Sequence, residues 1–356
     1  MARIALTPSG TYKALIRKVG WPSTSKTFRT KRDAQDWARR TEDEMVRGVY
    51  IERSSSERMT LEKALNRYLL EVSPTKAPKT AKSEEGSAKT LIARLGKYSL
   101  AALSSDIIAD YRDARLSEKT RRGTLTSNNS VRLELALLSH LFTVAIQEWR
   151  IGLPSNPVSN IRKPSPGQGR DRRLSAEEER RLLAAVNGHS NPMLGWIVRI
   201  AIETGMRSSE ITGLRCQQVD LQKRVVRLTD TKNDSCRTVP LTKVATEAFR
   251  TALAHPVRPK DCNLVFFGEP GKDKKRRPYA FTKTWGLLKK DLGMPDLRFH
   301  DLRHEAVSRL VEGGLSDQQV SAISGHKSMQ MLRRYTHLFS QHVMCCSKRK
   351  AFSPLA

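Results

Sequence analysis

The stretch HDLRHEAVSRLVEGG, residues 300 to 314, places three nitrogen-rich side chains, His300, Arg303 and His304, ahead of an apolar stripe of Ala306, Leu310 and Val311. Helical spacing puts His300 and Arg303 one turn apart on one face and sets His304 a turn beyond His300. Metal ligation, anion binding and decoration of a solvated face are the chemistries open to such a cluster. His300 and His304 have the spacing of a zinc helix, but the second position of that motif is Asp301 rather than Glu, and Arg303 would set a positive charge beside the ion. An acidic cluster for Mg²⁺ is also missing from the sequence pattern. An anion grip fits better, because these groups are all donors when protonated.

Further candidates lie along the same half of the chain. In ETGMRSSEITGLR, residues 203 to 215, an apolar helix ends at Gly205 and another starts at Ser208 or Ser209. Arg207 therefore falls in the joint, beside new helical N–H groups that favour an anion. Glu210, three residues on, can steady its guanidinium, although such pairs are by themselves usually surface decoration. In RVVRLTDTKNDSCRTVPL, residues 224 to 241, two β-branched runs flank a polar turn, the pattern of a hairpin with Lys232 near its tip. A lysine there is more often solvated than functional, yet its long stem can reach a substrate outside the helical core. Ser316 and Gln319 then form a capping box, a helix breaks at Gly325, and His326 follows. Nine residues later comes Tyr335, among Arg333, Arg334 and His337, a cationic setting that favours the phenolate.

The chain that must position these groups has 356 residues, enough for two or three domains with separate cores. It carries 64 Lys plus Arg against 36 Asp plus Glu, a formal charge of +28 spread over every segment. An excess that large would repel itself without a polyanionic partner, which points to nucleic acid rather than to mere solubility. Eighteen consecutive apolar residues occur nowhere, which excludes a spanning helix, and the start MARIALTPSG has neither an h-region nor a cleavage site. Cys216, Cys236, Cys262, Cys345 and Cys346 are odd in number and lack CxxC spacing, which argues against a zinc ribbon or a disulfide framework and suits a reducing cytoplasm.

Composition divides the chain into a mainly α protein with small β elements. Residues 1–58 form a strand-plus-helix module, with strands at 11–18 and 24–29 and a helix at 31–47. Its alternation would put Lys13, Arg17 and Lys26 on one surface, either to enter a DNA groove or simply to be solvated. Residues 59–162 read as all-helical: Thr60 caps the first helix, and further helices fall at about 85–95, 105–116 and 127–149. Pro, Gly and charge crowd into 163–174, a linker, and the capping box Ser175 to Glu178 opens a domain over 175–340. That domain is helical apart from one strand-rich interruption near 219–241. Residues 341–356 are a C-terminal tail, and in the stretch after Tyr335 the residues Leu338, Phe339, Val343 and Met344 are either a docking knob or part of a frayed basic end.

Arg207 with Glu210, Lys232 on a hairpin, His300-x-x-Arg303, Gly325-His326 and Tyr335 occur in an order that resembles the tyrosine recombinase, or phage integrase, family. The match covers about 175 to 340, while 59–162 is similar to the family's core-binding domain and 1–58 to the arm-site modules of some integrases. The resemblance implies a mixed α/β catalytic domain that cuts and rejoins DNA without ATP, metal or other cofactor. Tyr335 would attack the scissile phosphate to leave a 3′-phosphotyrosyl bond and a free 5′-hydroxyl, with Arg207 and Arg303 holding the non-bridging oxygens. His300 would act as base or phosphate donor, His326 would bind the phosphate or the attacking oxygen, and Lys232 would protonate the leaving 5′-oxygen. Glu210 would orient Arg207 or His300 from behind, and His304 would support the residues beside it.

The implied partners are double-stranded DNA with specific recombination sites, further copies of the chain in a tetrameric synapse, and an accessory DNA-bending or directionality protein. The implied location is the cytoplasm, at the nucleoid. The outcome would be integration, excision or inversion. A type IB topoisomerase uses similar residues, but two DNA-binding units ahead of the catalytic domain favour site recognition over relaxation. A non-catalytic DNA-binding regulator would explain the charge but leave the spacing of Arg207, Arg303, His326 and Tyr335 as coincidence.

Overall fold

The computed structural model describes residues 2–48, 50, 54–167, 170, 172–229, 236–256, 258–260, 262–326, 328, 330–332 and 335. The chain divides into two compact units, residues 1–168 and 169–356. Both are built mainly of helices with small sheets, as the periodicities predict.

The first unit opens with an antiparallel sheet of β1 (Arg3–Leu6), β2 (Tyr12–Ile16) and β3 (Thr24–Phe28), in that order, followed by α1 (Lys31–Val46). The Thr30 side chain caps α1 by accepting from the Asp33 N–H at 3.1 Å. Its Ala34, Ala38 and Met45 are buried, as are Ala14 and Ile16 of β2, on which it packs. The register corrects one expectation. Lys13 opposes Thr27, whereas Lys26 opposes Ala14, and directly opposed residues share a face. Lys13 and, by alternation, Arg17 therefore lie on the face away from α1, and Lys26 lies on the other, where it pairs with Glu57 at 3.6 Å. A period of two leaves no intermediate choice.

Next come α2 (Ser54–Arg58), α3 (Leu61–Glu71), α4 (Pro78–Leu95), α5 (Ser105–Ser117) and α6 (Asn128–Gln147). Helix α4 begins earlier than its apolar pattern suggests, because Pro78 at its first turn starts a helix well while its first two turns bury nothing. Leu61, Leu65 and Tyr68 of α3, Leu91 and Leu95 of α4, and Val131, Leu135, Leu138 and Phe142 of α6 share one core. Spacings of three and four residues bring each set to one face.

The second unit contains α7 (Ala176–Asn187), α8 (Met193–Thr204), α9 (Ser208–Thr212), β4 (Val219–Asp220), β5 (Val225–Leu228), β6 (Arg237–Pro240), α10 (Lys243–Leu253), β7 (Phe267–Pro270), β8 (Arg276–Pro278), α11 (Thr282–Asp291), α12 (Phe299–Glu312) and α13 (Asp317–Ser324). Strands β4, β5 and β6 form one antiparallel sheet, and β7 pairs with β8. The second pair escapes sequence reading because FGEP and RRP are too short and too rich in Pro and Gly to alternate. Helix α8 is apolar nearly all round, burying Leu194, Ile197, Val198, Ile200, Ala201 and Ile202, and α7, α10 and α12 pack around it. Both capping boxes read from the sequence, Ser175 with Glu178 and Ser316 with Gln319, are present.

Arginines that follow the Pro-Gly run lie along α12. Arg170 Nε donates to both oxygens of Asp301 at 3.0 Å, and Arg173 Nη2 donates to Glu305 at 3.0 Å. Asp301 and Glu305 are buried on one side of α12, so this strap holds the helix whose other positions include His300, Arg303 and His304.

Candidate active site

Arg207 caps the start of α9 with extended backbone, and the Glu210 carboxylate accepts both from its N–H and from its Nη1, each at 2.8 Å. Arg207 Nη2 donates to the Gly325 carbonyl at 3.1 Å. A residue that sequence reading passed over completes this group. Arg237, the first residue of β6, donates to both Glu210 oxygens at 3.0 and 2.6 Å and through Nε to the Ile323 carbonyl at 3.0 Å. One carboxylate thus serves two guanidinium groups. Burial pushes the Glu210 carboxyl up, but the hydrogen bonds from Arg237 and Arg207 outweigh it and hold the group below its ordinary range. The only sequence signal for Arg237 is a basic residue at the start of an apolar strand, which is weak in so basic a chain.

Gly325 ends α13 in the left-handed conformation at φ 72°, and a Cβ there would lie 2.8 Å from Arg237 Nη1. Gly205 ends α8 in the same way, at φ 63°, and its carbonyl accepts from Arg303 Nη1 at 2.5 Å. The two helix stops foreseen from the sequence therefore shape the arginine seats.

Arg303 is 3% exposed. Its hydrogen bonds go to the Gly205 carbonyl and, through Nη2, to His326 Nε2 at 3.3 Å. Neither partner carries a negative charge. Burial, then the nearby Arg207 charge, push its guanidinium down to about 10, so it is still a cation at neutral pH. A buried cation with neutral acceptors beside like charges is a seat prepared for an anion.

His326 follows the Gly325 turn. Its Nδ1 is 2.6 Å from Ser324 Oγ, whose single proton goes to the Val320 carbonyl at 2.6 Å. Nδ1 then carries the ring proton, which leaves Nε2 to accept from Arg303. Tyr335 is 5% exposed and packs with Val307, Val311, Val320 and Leu332. Its hydroxyl makes a short hydrogen bond to His304 Nδ1, and its ring centroid is 6.5 Å from that of His326. The exposed His300 sets its ring edge to face against His304, with centroids 5.0 Å apart.

Arg207, Glu210, His300, Arg303, His304, His326 and Tyr335 therefore form one connected cluster, drawn from α9, α12, the turn after α13 and the segment carrying Leu332. Strands β5 and β6 pair antiparallel, Val225 opposite Pro240 and Leu228 opposite Arg237, as the hairpin reading expects. Lys232 lies outside the described residues, as do Arg333, Arg334 and everything after Tyr335, including the tail. His304, read from the sequence as a support for its neighbours, packs against His300 and also bonds to the phenol. Among the described residues, no group of three or more His, Cys, Asp or Glu is arranged to hold a metal ion. Three guanidinium groups against one carboxylate leave the cluster cationic and rich in donors, with a phenol at its edge.

The sequence and the fold are similar to those of known proteins. Residues 172–342 match the model of the phage integrase family. A shufflon-specific DNA recombinase of Escherichia coli is 40% identical over 285 residues, which is 79% of this chain and 70% of the relative. Among solved structures, the Tn1549 transposon integrase in complex with circular intermediate DNA superposes with a TM-score of 0.62 at 18% identity, covering 78% of this chain and 95% of that one. A lambda integrase tetramer bound to a Holliday junction gives 0.60 at 18% identity, covering 91% and 95%.

Proposed function

Because this chain belongs to the phage integrase family, the tyrosine site-specific DNA recombinases, we propose that Tyr335 is its DNA-cleaving nucleophile and that Arg207, Lys232, His300, Arg303 and His326 complete the catalytic set. The phenol attacks the scissile phosphorus, the 3′-phosphotyrosyl bond stores the energy of the broken phosphodiester, and a 5′-hydroxyl is freed to exchange partners. Arg207 and Arg303 hold the non-bridging oxygens, where charge grows in the transition state. Losing one such contact costs on the order of 10²-fold in rate or more. His300 and His326 serve the phosphate or the attacking oxygen, and the Lys232 ammonium supplies the proton for the leaving 5′-oxygen. Glu210 steadies Arg207 from behind, and His304 supports the residues beside it while bonding to the phenol.

The observation that carries this reading is the Arg303 seat: a buried guanidinium on neutral acceptors, one of which is His326, whose ring centroid lies 6.5 Å from that of Tyr335. The substrate is double-stranded DNA with two recombination sites, acted on at the nucleoid in the cytoplasm. Two duplexes cut in both strands need four nucleophiles, and each chain supplies one, so the working form is a tetrameric synapse. That agrees with the lambda integrase tetramer on a Holliday junction, whose fold this chain shares. Integration, excision and inversion use the same chemistry and differ in how the two sites are placed, with an accessory DNA-bending protein biasing the direction.

The test is covalent trapping on a pool of nicked duplexes covering the DNA that flanks the gene. The wild-type chain accumulates a protein–DNA adduct, and Tyr335→Phe accumulates none while still binding. An adduct that survives in Tyr335→Phe would overturn the assignment.

A further inference from the structure

A phenol with an ordinary value of about 10 attacks a phosphate well only if a base removes its proton as the bond forms. Among the described residues, His304 hydrogen-bonds to the Tyr335 hydroxyl, through Nδ1. His300 is exposed, and its ring rests against the His304 ring. We infer that His304 is a catalytic residue, the base that takes the Tyr335 proton during cleavage and returns it during religation. This rests on the reading of Tyr335 as nucleophile, and it moves His304 from a supporting to a chemical role.

The transfers balance. As the Tyr335 Oη–P bond forms, the P–O5′ bond breaks, the phenolic proton passes to His304 Nδ1, and the 5′-oxygen takes a proton from the Lys232 ammonium. In religation the incoming 5′-hydroxyl attacks phosphorus and gives its proton to Lys232, while the imidazolium of His304 reprotonates the departing phenolate. His304 in its neutral form, with the proton on Nε2, presents a lone pair at Nδ1 to the phenol. Because His304 directly follows Arg303, one helix carries both the phosphate grip and the base, about 100° apart around its axis. Among the described residues, the charged and titratable groups that face His304 are His300 and Arg303 on α12 and Tyr335 itself, with His326 after α13 against Arg303 and Tyr335 in turn. Arg207, Glu210 and Arg237 act on Arg303 from behind. Asp301 and Glu305 on the same helix are held by Arg170 and Arg173.

Asparagine separates the roles, because its amide can hydrogen-bond a phenol but cannot take its proton. The experiment measures single-turnover adduct formation on the nicked duplexes between about pH 5 and 8, with the full-length wild type, His304→Asn and His304→Leu. The expected result is a wild-type rate that falls on the acid side, and an asparagine variant that binds DNA normally, is slower by about 10²-fold or more and has lost that acid limb. An asparagine variant at the wild-type rate would overturn the inference, since positioning alone would then suffice. If either variant loses its melting transition or its DNA binding, NMR titration of His304 in wild type and in Tyr335→Phe decides. A midpoint that moves on removal of the hydroxyl supports the coupling, and an identical midpoint overturns it. If the wild type forms no adduct on any of the duplexes, the nucleophile assignment itself has failed, an outcome distinct from an adduct that forms without regard to His304.

Discussion

Arg237 sets its guanidinium fork on both carboxylate oxygens of Glu210, with each side chain less than a tenth exposed. Through Nε it also holds the Ile323 carbonyl, so one side chain joins β6, α9 and the end of α13. Those elements carry Arg207 at the start of α9 and His326 after α13. A bidentate buried pair of this kind fixes angle as well as distance, which an exposed pair does not.

Arg237→Ala leaves Glu210 buried with Arg207 as its remaining partner. Breaking such a pair costs about 3–5 kcal/mol, and retention of Arg207 puts this case near the lower end. Arg237→Lys keeps the charge but not the fork, so it restores part of the stability and little of the cleavage rate. Urea unfolding, read beside adduct formation, checks both statements.

Gly325→Ala forces a side chain into the left-handed region, at about 1–2 kcal/mol, and brings its Cβ against an arginine fixed by three hydrogen bonds. Adduct formation falls because Arg237 and the Gly325 carbonyl that receives Arg207 both shift. In a double-mutant cycle with Arg237→Ala, the combined loss is smaller than the sum of the single losses, since the clash disappears with its target. Strict additivity in melting experiments would contradict this.

Arg303 opposes folding. A guanidinium pushed down from its ordinary range to about 10 by burial carries a penalty that is fully present below that pH, amounting to about 3 kcal/mol. Arg303→Met removes that penalty but strands the Gly205 carbonyl, at about 1–3 kcal/mol. The variant should therefore melt no lower than wild type while losing cleavage, a separation of stability from function that calorimetry and trapping can measure. Sulfate, at matched ionic strength, raises the melting temperature of wild type more than that of the variant, because it fills the anion seat.

Acid weakens the second unit. Hydrogen bonds from Arg172, then the Ser175 N–H, hold Glu178 down at about 2. Glu305 is pushed up by burial, but Arg173 and Arg309 more than reverse it, and Glu210 behaves alike with Arg237 and Arg207. Each folded value lies below the ordinary 4.5, so the stabilisation is present above that pH and is lost as pH falls through it, reaching about 2 for Glu178. Melting temperatures recorded from neutral pH to pH 3 should drop, and Glu178→Gln should flatten the drop.

Much of this was legible in the residue order. The helix stops at Gly205 and Gly325, the caps at Thr60, Ser175 and Ser316, the apolar periods and the succession Arg207, Glu210, His300, Arg303, His326, Tyr335 are local signals, because capping and side-chain period depend on residues a few positions apart. The contacts that give the cluster its character span far more chain. Arg237 meets Glu210 across 27 positions, His304 meets Tyr335 across 31, and Arg170 meets Asp301 across 131. In a chain with 64 basic residues, nothing local marks Arg237 as the one that closes on Glu210, or His304 rather than His300 as the partner of the phenol. Those choices were made by the register of β6 and by the rotation of α12 between its arginine strap and α8, since a shift of one residue turns a helix by about 100° and sends a strand's side chains to the opposite face.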